Sequence, residues 1–196
     1  MEDRYRKRLL RQTLLRERSR LIPRDVAEKS RAIFARIQDM QEFREARLIL
    51  CYADFRGEVA TGDFIRRCLA SGKQVALPRL AEDPRSSSRY METRLIESMG
   101  KSLTPGTWGI LEPDPGKTLP AKLTDIDFAV IPGVAFDLRR FRLGYGMGYF
   151  DAYLAGNRGN CLKVGVGFDL QVIGQLPVES HDVRMDRVVT ESRVIA

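Results

Sequence analysis

The stretch from Phe136 to Asp151 holds the residues best suited to bind a phosphate group. Three glycines alternate with larger residues over 144–148, so the backbone there can turn freely and approach a ligand closely. Arg142 stands two residues before the first glycine, and a helix predicted over 151–155 would direct its free N–H groups at the same loop. An arginine, glycine amides and a helix N-terminus together indicate a site for a phosphate-bearing ligand.

The spacing of these glycines excludes one phosphate-binding class and leaves alternatives open. The loop is not a Walker loop, because no Gly-Lys-Ser or Gly-Lys-Thr follows it. A dinucleotide fingerprint needs its first glycine at the end of a strand, but Gly144 lies 13 residues after Ile131, where the preceding apolar run ends. Asp169 nevertheless follows a later predicted strand, where a ribose-binding acid would lie. A glycine-rich turn without a ligand is the remaining interpretation, and the presence of Arg142 and Asp151 argues against it.

Length and composition are those of a single globular domain. The chain has 196 residues, of which 43% are hydrophobic and 30% charged, which is enough to bury one sizeable core. No apolar run reaches the roughly 20 residues of a membrane span, and the charged N-terminus lacks the apolar segment of a signal peptide. Cys51, Cys68 and Cys161 are odd in number and far apart, which favours reduced thiols over disulfides or a zinc site. We therefore expect a cytoplasmic protein that does not contact membranes.

The positive charge is concentrated at the N-terminus. The net charge is +7, but residues 1–24 contain nine Lys or Arg and only three acids, so the remainder is nearly neutral. A general nucleic-acid binder would not show this distribution, although a basic first helix that grips phosphates remains an alternative. Lys7, Arg11 and Arg18 lie on one stripe beside the apolar stripe of the predicted first helix. They form either a solvated basic face or, at Lys7 and Arg11, a pair of cations that reach a bound anion.

The apolar pattern predicts helices that alternate with strands. Helices are predicted over 3–20, 23–40, 61–69, 151–155 and 169–173. Strands are predicted over 47–53, 74–77, 127–131, 163–168 and 187–190, with an antiparallel strand or hairpin arm over 89–96. Thr61 would cap the third helix, and Pro78-Arg79 would end the second strand. Residues 81–88 are predicted to be a loop and 100–122 mostly irregular, with Trp108 as a packing anchor.

This alternation indicates one α/β domain over residues 1–196. Its central sheet would be mainly parallel and flanked by helices, with one antiparallel arm possible. In such sheets, ligands bind beyond the carboxyl ends of the strands. The segments 52–58 and 78–79, the glycine loop and Asp169 would all lie at that edge, which is where we expect the site.

The residues around the glycine loop resemble a known family signature. Arg-Leu-Gly-Tyr-Gly-Met-Gly-Tyr-Phe-Asp at 142–151 is similar to the signature of the 5-formyltetrahydrofolate cyclo-ligase family, also called methenyltetrahydrofolate synthetases. Other segments agree with this family in the same order along the chain, at 7–11, 57–61, 77–79, 109–113, 131–137 and 176–186. The resemblance covers essentially the whole chain. The main departures are Ile22, Arg140-Phe141, Met147 and Phe150, and they leave a catalytically weak paralogue as an alternative.

The resemblance implies an enzyme that uses ATP and Mg²⁺. It would convert 5-formyltetrahydrofolate, possibly polyglutamylated, to 5,10-methenyltetrahydrofolate with release of ADP and phosphate. The formyl oxygen is phosphorylated, and N10 then closes the ring. The basic N-terminal helix, over 1–22, would contribute to the ATP site. The protein is expected to be a monomer that does not bind nucleic acid.

The resemblance also assigns roles to individual residues. The expected ATP contacts are Lys7, Arg8, Leu9, Leu10, Arg11, Arg142, Leu143, Gly144, Tyr145, Gly146, Met147, Gly148, Tyr149 and Phe150. The expected folate contacts are Tyr52, Ala53, Glu58, Tyr145, Gly146, Met147, Gly148 and Tyr149. Arg142 and Tyr149 would be catalytic, and Asp151 and Asp182 would hold the metal. The alternatives are a helix cap for Asp151, a turn residue for Asp182 and an exposed turn acid for Glu58. His181 is either a general base or a loop residue without a catalytic role.

Overall fold

The structure is a computed structural model that describes residues 2–86, 88–156 and 161–196. Met1 and Ser87, which fall in the predicted N-terminal segment and the predicted 81–88 loop, lie outside the described residues. The helices in these ranges are α1 (Glu2–Arg18), α2 (Pro23–Asp39), α3 (Gln41–Glu45), α4 (Gly62–Ala70) and α5 (Tyr149–Leu154). No helix among them is both long and apolar enough to cross a membrane.

The strands of the same ranges build one large sheet and two small ones. They are β1 (Leu48–Leu50), β2 (Gln74–Glu82), β3 (Arg89–Ile96), β4 (Leu103–Pro105), β5 (Leu111–Pro113), β6 (Leu119–Ala121), β7 (Phe128–Pro132), β8 (Ala135–Asp137), β9 (Arg142–Leu143), β10 (Leu162–Val166), β11 (Val172–Ile173), β12 (Arg187–Val189) and β13 (Val194–Ile195). The large sheet has the order β13-β12-β10-β7-β1-β2-β3-β6.

The prediction of an α/β fold with a mainly parallel sheet is confirmed. The five central strands, from β12 to β2, are parallel to their neighbours. The antiparallel arm predicted over 89–96 is β3, which pairs with β2 from Val75↔Ile96 to Glu82↔Arg89. Two further antiparallel strands, β6 and β13, extend the sheet at its edges and were not predicted.

Both faces of the large sheet are covered, which explains the continuous apolar runs of its central strands. In β7, Phe128 and Val130 belong to the core beneath α2 and α4, whereas Ala129 and Ile131 belong to the core on the opposite face. The first core is built around Phe34 of α2, which stacks on a ring of α4 with centroids 4.2 Å apart. The sheet is therefore a rigid platform for the loops that follow its strands.

Several predicted boundaries were wrong, for identifiable reasons. Strand β2 does not end at Pro78 but continues to Glu82 as half of a hairpin. The carbonyl of Ala76 accepts a bond from the β1 side, so Pro78, two residues on, faces the same side, where β1 has already ended. The missing N–H of this proline therefore removes no sheet hydrogen bond. Thr61 lies at the start of α4 but makes no side-chain cap, because its hydroxyl donates to the carbonyl of Tyr52 at 2.7 Å.

Two other segments differ from the sequence-based expectation. The helix predicted over 169–173 is a single 3-10 turn, Asp169–Gln171, followed by the short strand β11. The region 100–122 contains three short strands, β4, β5 and β6. Their pairing depends on distant partners, so the local sequence gives little sign of it.

A small sheet with the order β11-β8-β9 carries the glycine loop. Asp137, at the end of β8, is fully buried and accepts hydrogen bonds from the backbone N–H groups of Arg139 (3.0 Å), Phe141 (2.9 Å) and Leu176 (3.0 Å). Its carboxylate also accepts from the guanidinium of Arg139 at 2.9 Å. One buried carboxylate thus closes the β8–β9 hairpin and ties it to the chain after β11.

Replacing Asp137 with alanine should destabilise this hairpin strongly. The substitution leaves three backbone donors without their acceptor, so the free energy of unfolding should fall by about 3–5 kcal/mol. Urea denaturation followed by circular dichroism measures the change. Asp125→Ala, at an exposed carboxylate, is the matched control and should change stability by less than about 0.5 kcal/mol. Equal effects of the two substitutions would show that Asp137 does not organise the hairpin.

Candidate active site

A cleft of about 520 Å³ lies at the carboxyl ends of β1, β2 and β7. It collects most of the predicted site residues, which line it together: Lys7, Arg11, Tyr52, Ala53, Glu58, Arg142, Leu143, Gly144, Tyr145, Gly146, Met147, Gly148, Tyr149, Phe150, Asp151 and Asp182. Three predicted ATP contacts, Arg8, Leu9 and Leu10, are not among the lining residues.

Asp169, which was expected at the same edge, does not line the cleft. Its backbone N–H donates to Glu191, and its carboxylate lies 3.8 Å from the guanidinium of Arg193. Hydrogen bonds from Ser192 and Thr190 and the charge of Arg193 outweigh its burial and lower its pKa. The acid that a dinucleotide-binding loop would require is therefore engaged elsewhere, and this interpretation loses its support.

The glycine loop joins β9 to α5 through backbone conformations that favour glycine. Gly146 has φ +110° and Gly148 has φ +70°, and Gly148 immediately precedes the first turn of α5. Arg11, on α1, donates from Nε to the carbonyl of Gly144 at 2.7 Å. The loop is thereby fixed against α1, and one of the two predicted cations lies directly beside it.

Arg142 and Asp151 form an ion pair at the two ends of this loop. The Nη2 atom of Arg142 lies 2.7 Å from Oδ2 of Asp151, and both side chains are almost excluded from solvent. The second oxygen of Asp151 accepts the backbone N–H of Val183 at 3.2 Å. Asp151 is therefore not the helix cap that was kept as its alternative, since α5 has no side-chain cap. It connects the loop to the segment that contains Asp182.

Lys7 faces a pair of carboxylates. Its Nζ lies 2.7 Å from Oδ2 of Asp182 and 2.9 Å from Oε2 of Glu179. Burial alone would lower the pKa of Lys7, but the hydrogen bonds and charges of the two acids outweigh it and raise this pKa. Burial likewise works to raise the pKa of Asp182, and Lys7 with the backbone N–H of Glu179 reverses the effect, so that its pKa is lowered. Both groups are charged at neutral pH.

The segment 179–182 could hold a metal ion. Ligand atoms of Glu179, His181 and Asp182 all lie within 4.8 Å of one another. Carboxylate oxygens suit Mg²⁺, which takes one or two of them and completes its shell with phosphate oxygens and water. His181 is mostly exposed, with Nε2 3.8 Å from Oδ1 of Asp182. Glu179 was not predicted as a site residue, and the only sequence signal for it was its spacing from Asp182.

Glu58 is buried at the other end of the cleft and is only 6% exposed. Its Oε1 accepts the hydroxyl of Tyr145 at 2.9 Å, and its Oε2 accepts the N–H of Phe55 at 3.0 Å. Burial raises the pKa of Glu58 to about 7, and the charge of Arg18 is the largest influence in the opposite direction. The alternative of an exposed turn acid is thus excluded. Tyr52, predicted beside it, uses its hydroxyl to donate to the carbonyl of Val59 at 2.9 Å.

Two features of the cleft escaped prediction. Trp108, expected to be a packing anchor, is 61% exposed and lines the cleft beside Ile110 and Leu111. Its aromatic face is available to a planar ligand. Arg18, grouped with the basic stripe, is 2% exposed and hydrogen-bonds the hydroxyl of Tyr145 at 2.6 Å. Nothing in the local sequence distinguishes this buried arginine from its solvated neighbours in α1.

Comparison with known proteins agrees with this geometry. The model of the 5-formyltetrahydrofolate cyclo-ligase family matches residues 3–191. The 5-formyltetrahydrofolate cyclo-ligase of Saccharomyces cerevisiae is 30% identical and aligns with 93% of this chain and 94% of its own. The enzyme of the same name from Escherichia coli K12 is also 30% identical, over 92% of this chain and 98% of its own.

Solved structures lead to the same family. The NMR structure of Aquifex aeolicus 5,10-methenyltetrahydrofolate synthetase superposes with a TM-score of 0.82 at 32% identity, covering 96% of this chain and 91% of that one. The synthetase from Mycoplasma pneumoniae, at 20% identity and a TM-score of 0.75, shares the fold. The glycine loop between Arg142 and Asp151, the buried acid at Glu58 and the match over nearly the whole chain lead to one conclusion: the chain belongs to the 5-formyltetrahydrofolate cyclo-ligase family.

Proposed function

We propose that the protein converts 5-formyltetrahydrofolate and ATP to 5,10-methenyltetrahydrofolate, ADP and phosphate, with Mg²⁺. The observation that carries the proposal is the arrangement of one cleft with two chemically different ends. At one end, Arg142, Arg11 and the glycine loop offer groups for phosphates. At the other, the buried carboxylate of Glu58 offers an acceptor for N–H groups, as a pterin presents. The same loop joins both ends through Tyr145.

The reaction requires two substrates held in contact. The γ-phosphoryl group is transferred to the formyl oxygen, which becomes a leaving group, and N10 then attacks the formyl carbon as phosphate departs. Such transfers depend mainly on positioning and on neutralising charge. Arg142 supplies positive charge at the loop, and Tyr149, at the first turn of α5, would orient the reacting groups. The exposed ring of Trp108 would cover the planar substrate at the mouth of the cleft.

The residues around segment 179–182 fit a magnesium ion. Asp151 and Asp182 would hold it, with Glu179 as a further oxygen ligand, and the ion would neutralise phosphate charge. Lys7 lies against the same acids at 2.7–2.9 Å, so it balances their charge and supplies a cation next to the phosphate end. The Nε atom of Arg142 is buried without a hydrogen-bond partner among the described residues, which leaves a donor for a ligand.

The nucleic-acid alternative is weaker than it was from the sequence alone. Of the basic residues in the first helix, Lys7 and Arg18 are buried, and Arg11 is half-buried against the glycine loop. These three side chains are directed to internal acceptors, so they do not form an exposed phosphate-binding surface. The excess charge of the N-terminus serves the cleft.

The proposed reaction predicts an ATP-dependent rise in the near-ultraviolet absorbance of methenyltetrahydrofolate. The purified protein is incubated with 5-formyltetrahydrofolate, ATP and Mg²⁺ at a pH low enough to keep the product closed. Omission of ATP is the control and should abolish the rise. No product under these conditions, together with salt-dependent binding of the protein to DNA or RNA, would favour the nucleic-acid alternative.

Asp151→Asn and Asp182→Asn should each raise the Mg²⁺ concentration for half-maximal activity by at least about tenfold, because each removes a charged oxygen ligand. Titration of activity with Mg²⁺ at saturating ATP measures the effect. Asp125→Asn, at an exposed carboxylate outside the cleft, is the control and should leave the titration unchanged. An unchanged titration for either cleft variant would remove that residue from the metal site.

The role of Glu58 predicts a pH-dependent kcat/KM for the folate. Because its pKa is raised above the usual 4.5 to about 7, the carboxylate is lost as pH falls through 7. The groups that influence it are Arg18, Tyr145, Asp54 and the Phe55 N–H. A protonated carboxyl accepts poorly, so kcat/KM should fall with pH below about 7. Glu58→Gln should flatten this limb and lower kcat/KM roughly 100-fold.

Protein with Asp54→Asn is the control for Glu58, since it removes a nearby charge of the same sign. This variant should lower the midpoint of the pH profile slightly without flattening it, because Asp54 raises the pKa of Glu58. A wild-type profile that stays level from pH 8 to pH 5 would mean that the ionisation of Glu58 does not govern folate use.

A further inference from the structure

Arg18, the last residue of α1, is a buried cation whose role the proposed reaction does not assign. It is 2% exposed, and among the described residues no carboxylate lies within ion-pair distance of it. Its guanidinium donates to three oxygens: the carbonyl of Arg56 at 3.2 Å, the carbonyl of Gly133 at 3.4 Å and the hydroxyl of Tyr145 at 2.6 Å. Burying an unpaired guanidinium is strongly unfavourable, so its charge must be offset nearby.

Glu58 is the charge that offsets Arg18, and Tyr145 connects them. The hydroxyl of Tyr145 lies 2.6 Å from Nη2 of Arg18 and 2.9 Å from Oε1 of Glu58. An arginine can only donate hydrogen bonds, so the phenolic oxygen accepts from Arg18 and its single hydrogen is left for Glu58. Glu58 must therefore accept at Oε1. It also accepts the N–H of Phe55 at Oε2, so both of its oxygens act as acceptors.

The same arginine fixes the backbone around Glu58. It binds the carbonyl of Arg56, a residue in the left-handed region with φ +49°, two positions before Glu58. It also binds the carbonyl of Gly133, in the turn between β7 and β8. Arg18 thus joins three segments around one acid: the loop after β1, the β7–β8 turn and the glycine loop.

We propose that Arg18 is a positioning residue that, through Tyr145, holds Glu58 as an ionised and correctly placed acceptor for the substrate. The proposal rests on the folate role of Glu58 proposed above. It assigns a specificity function to the C-terminal end of α1, whose N-terminal half faces the phosphate end of the cleft. Loss of Arg18 would leave Glu58 buried beside Asp54, which raises its pKa, without the largest influence that lowers it.

The ionisation of Glu58 tests the proposal without any use of activity. In protein labelled with ¹³C at the glutamate carboxyl carbons, the Glu58 signal is assigned by its loss in Glu58→Gln, and its midpoint is then followed by NMR against pH. In Arg18→Gln the midpoint should rise by at least about one pH unit, because a nearby opposite charge is lost. In Arg18→Lys, which keeps the charge, it should rise less. Arg16→Gln, at an exposed arginine of the same helix, should leave it unchanged.

Tyr145→Phe provides a second test, which keeps the ring and the buried arginine but removes the bridging hydroxyl. Its midpoint should also rise, and the double variant Arg18→Gln/Tyr145→Phe should show less than the sum of the two single effects, because both remove one pathway. An unshifted midpoint in a folded Tyr145→Phe protein overturns the proposal even if Arg18→Gln fails to fold. Fully additive shifts overturn it as well.

Kinetics separates positioning from general destabilisation. In Arg18→Gln the KM for 5-formyltetrahydrofolate should rise about tenfold or more while the KM for ATP stays unchanged, and Arg18→Lys should recover part of the loss. Equal rises in both KM values would indicate a merely structural role and overturn the proposal. A shifted Glu58 midpoint in a wild-type protein that turns over no folate would reject the proposed reaction and retain the coupling of Arg18 to Glu58.

Discussion

The burial of two cations on one face of α1 is the constraint on which the cleft depends. Lys7 and Arg18 are 11 residues apart, which at about 100° per residue returns to nearly the same face of the helix. Each is almost excluded from solvent, so each must find acceptors inside the protein. Lys7 finds them at the acids of segment 179–182, and Arg18 finds them at Tyr145 and two carbonyls. The position of α1 therefore fixes both ends of the cleft at once.

The glycine loop is held between this helix and the sheet. On the sheet side, buried Asp137 closes the β8–β9 hairpin from which the loop departs. On the helix side, Arg11 binds the carbonyl of Gly144. Apolar contacts join the two, since Leu14 of α1 packs in one cluster with Leu143, directly before the loop. A loop rich in glycine is entropically unfavourable to order, and these three attachments supply the compensation.

The part of this architecture that depends on local pattern could be predicted from the sequence. Buried parallel strands such as Phe128–Pro132 are continuous apolar runs, and the chemistry of the glycine loop is visible in its residue types. Features that depend on distant partners could not be predicted. The extension of β2 through Pro78 requires β3 opposite it and β1 absent on the other side. Trp108 packs against nothing that its neighbours in the sequence reveal, and it is exposed in the cleft.

Arg18 illustrates why charge patterns are the least informative part of a sequence. A basic residue at the edge of an apolar stripe is solvated in most helices, and burial is decided by acceptors that lie 38 to 127 positions away along the chain. A buried ion network is also a poor source of stability, because well-packed apolar side chains of similar volume usually stabilise a protein as much or more. The Nε atom of Arg18, which has no hydrogen-bond partner among the described residues, adds to that penalty. Stability alone therefore does not account for an arginine at this position, whereas control of a buried acid in the cleft does.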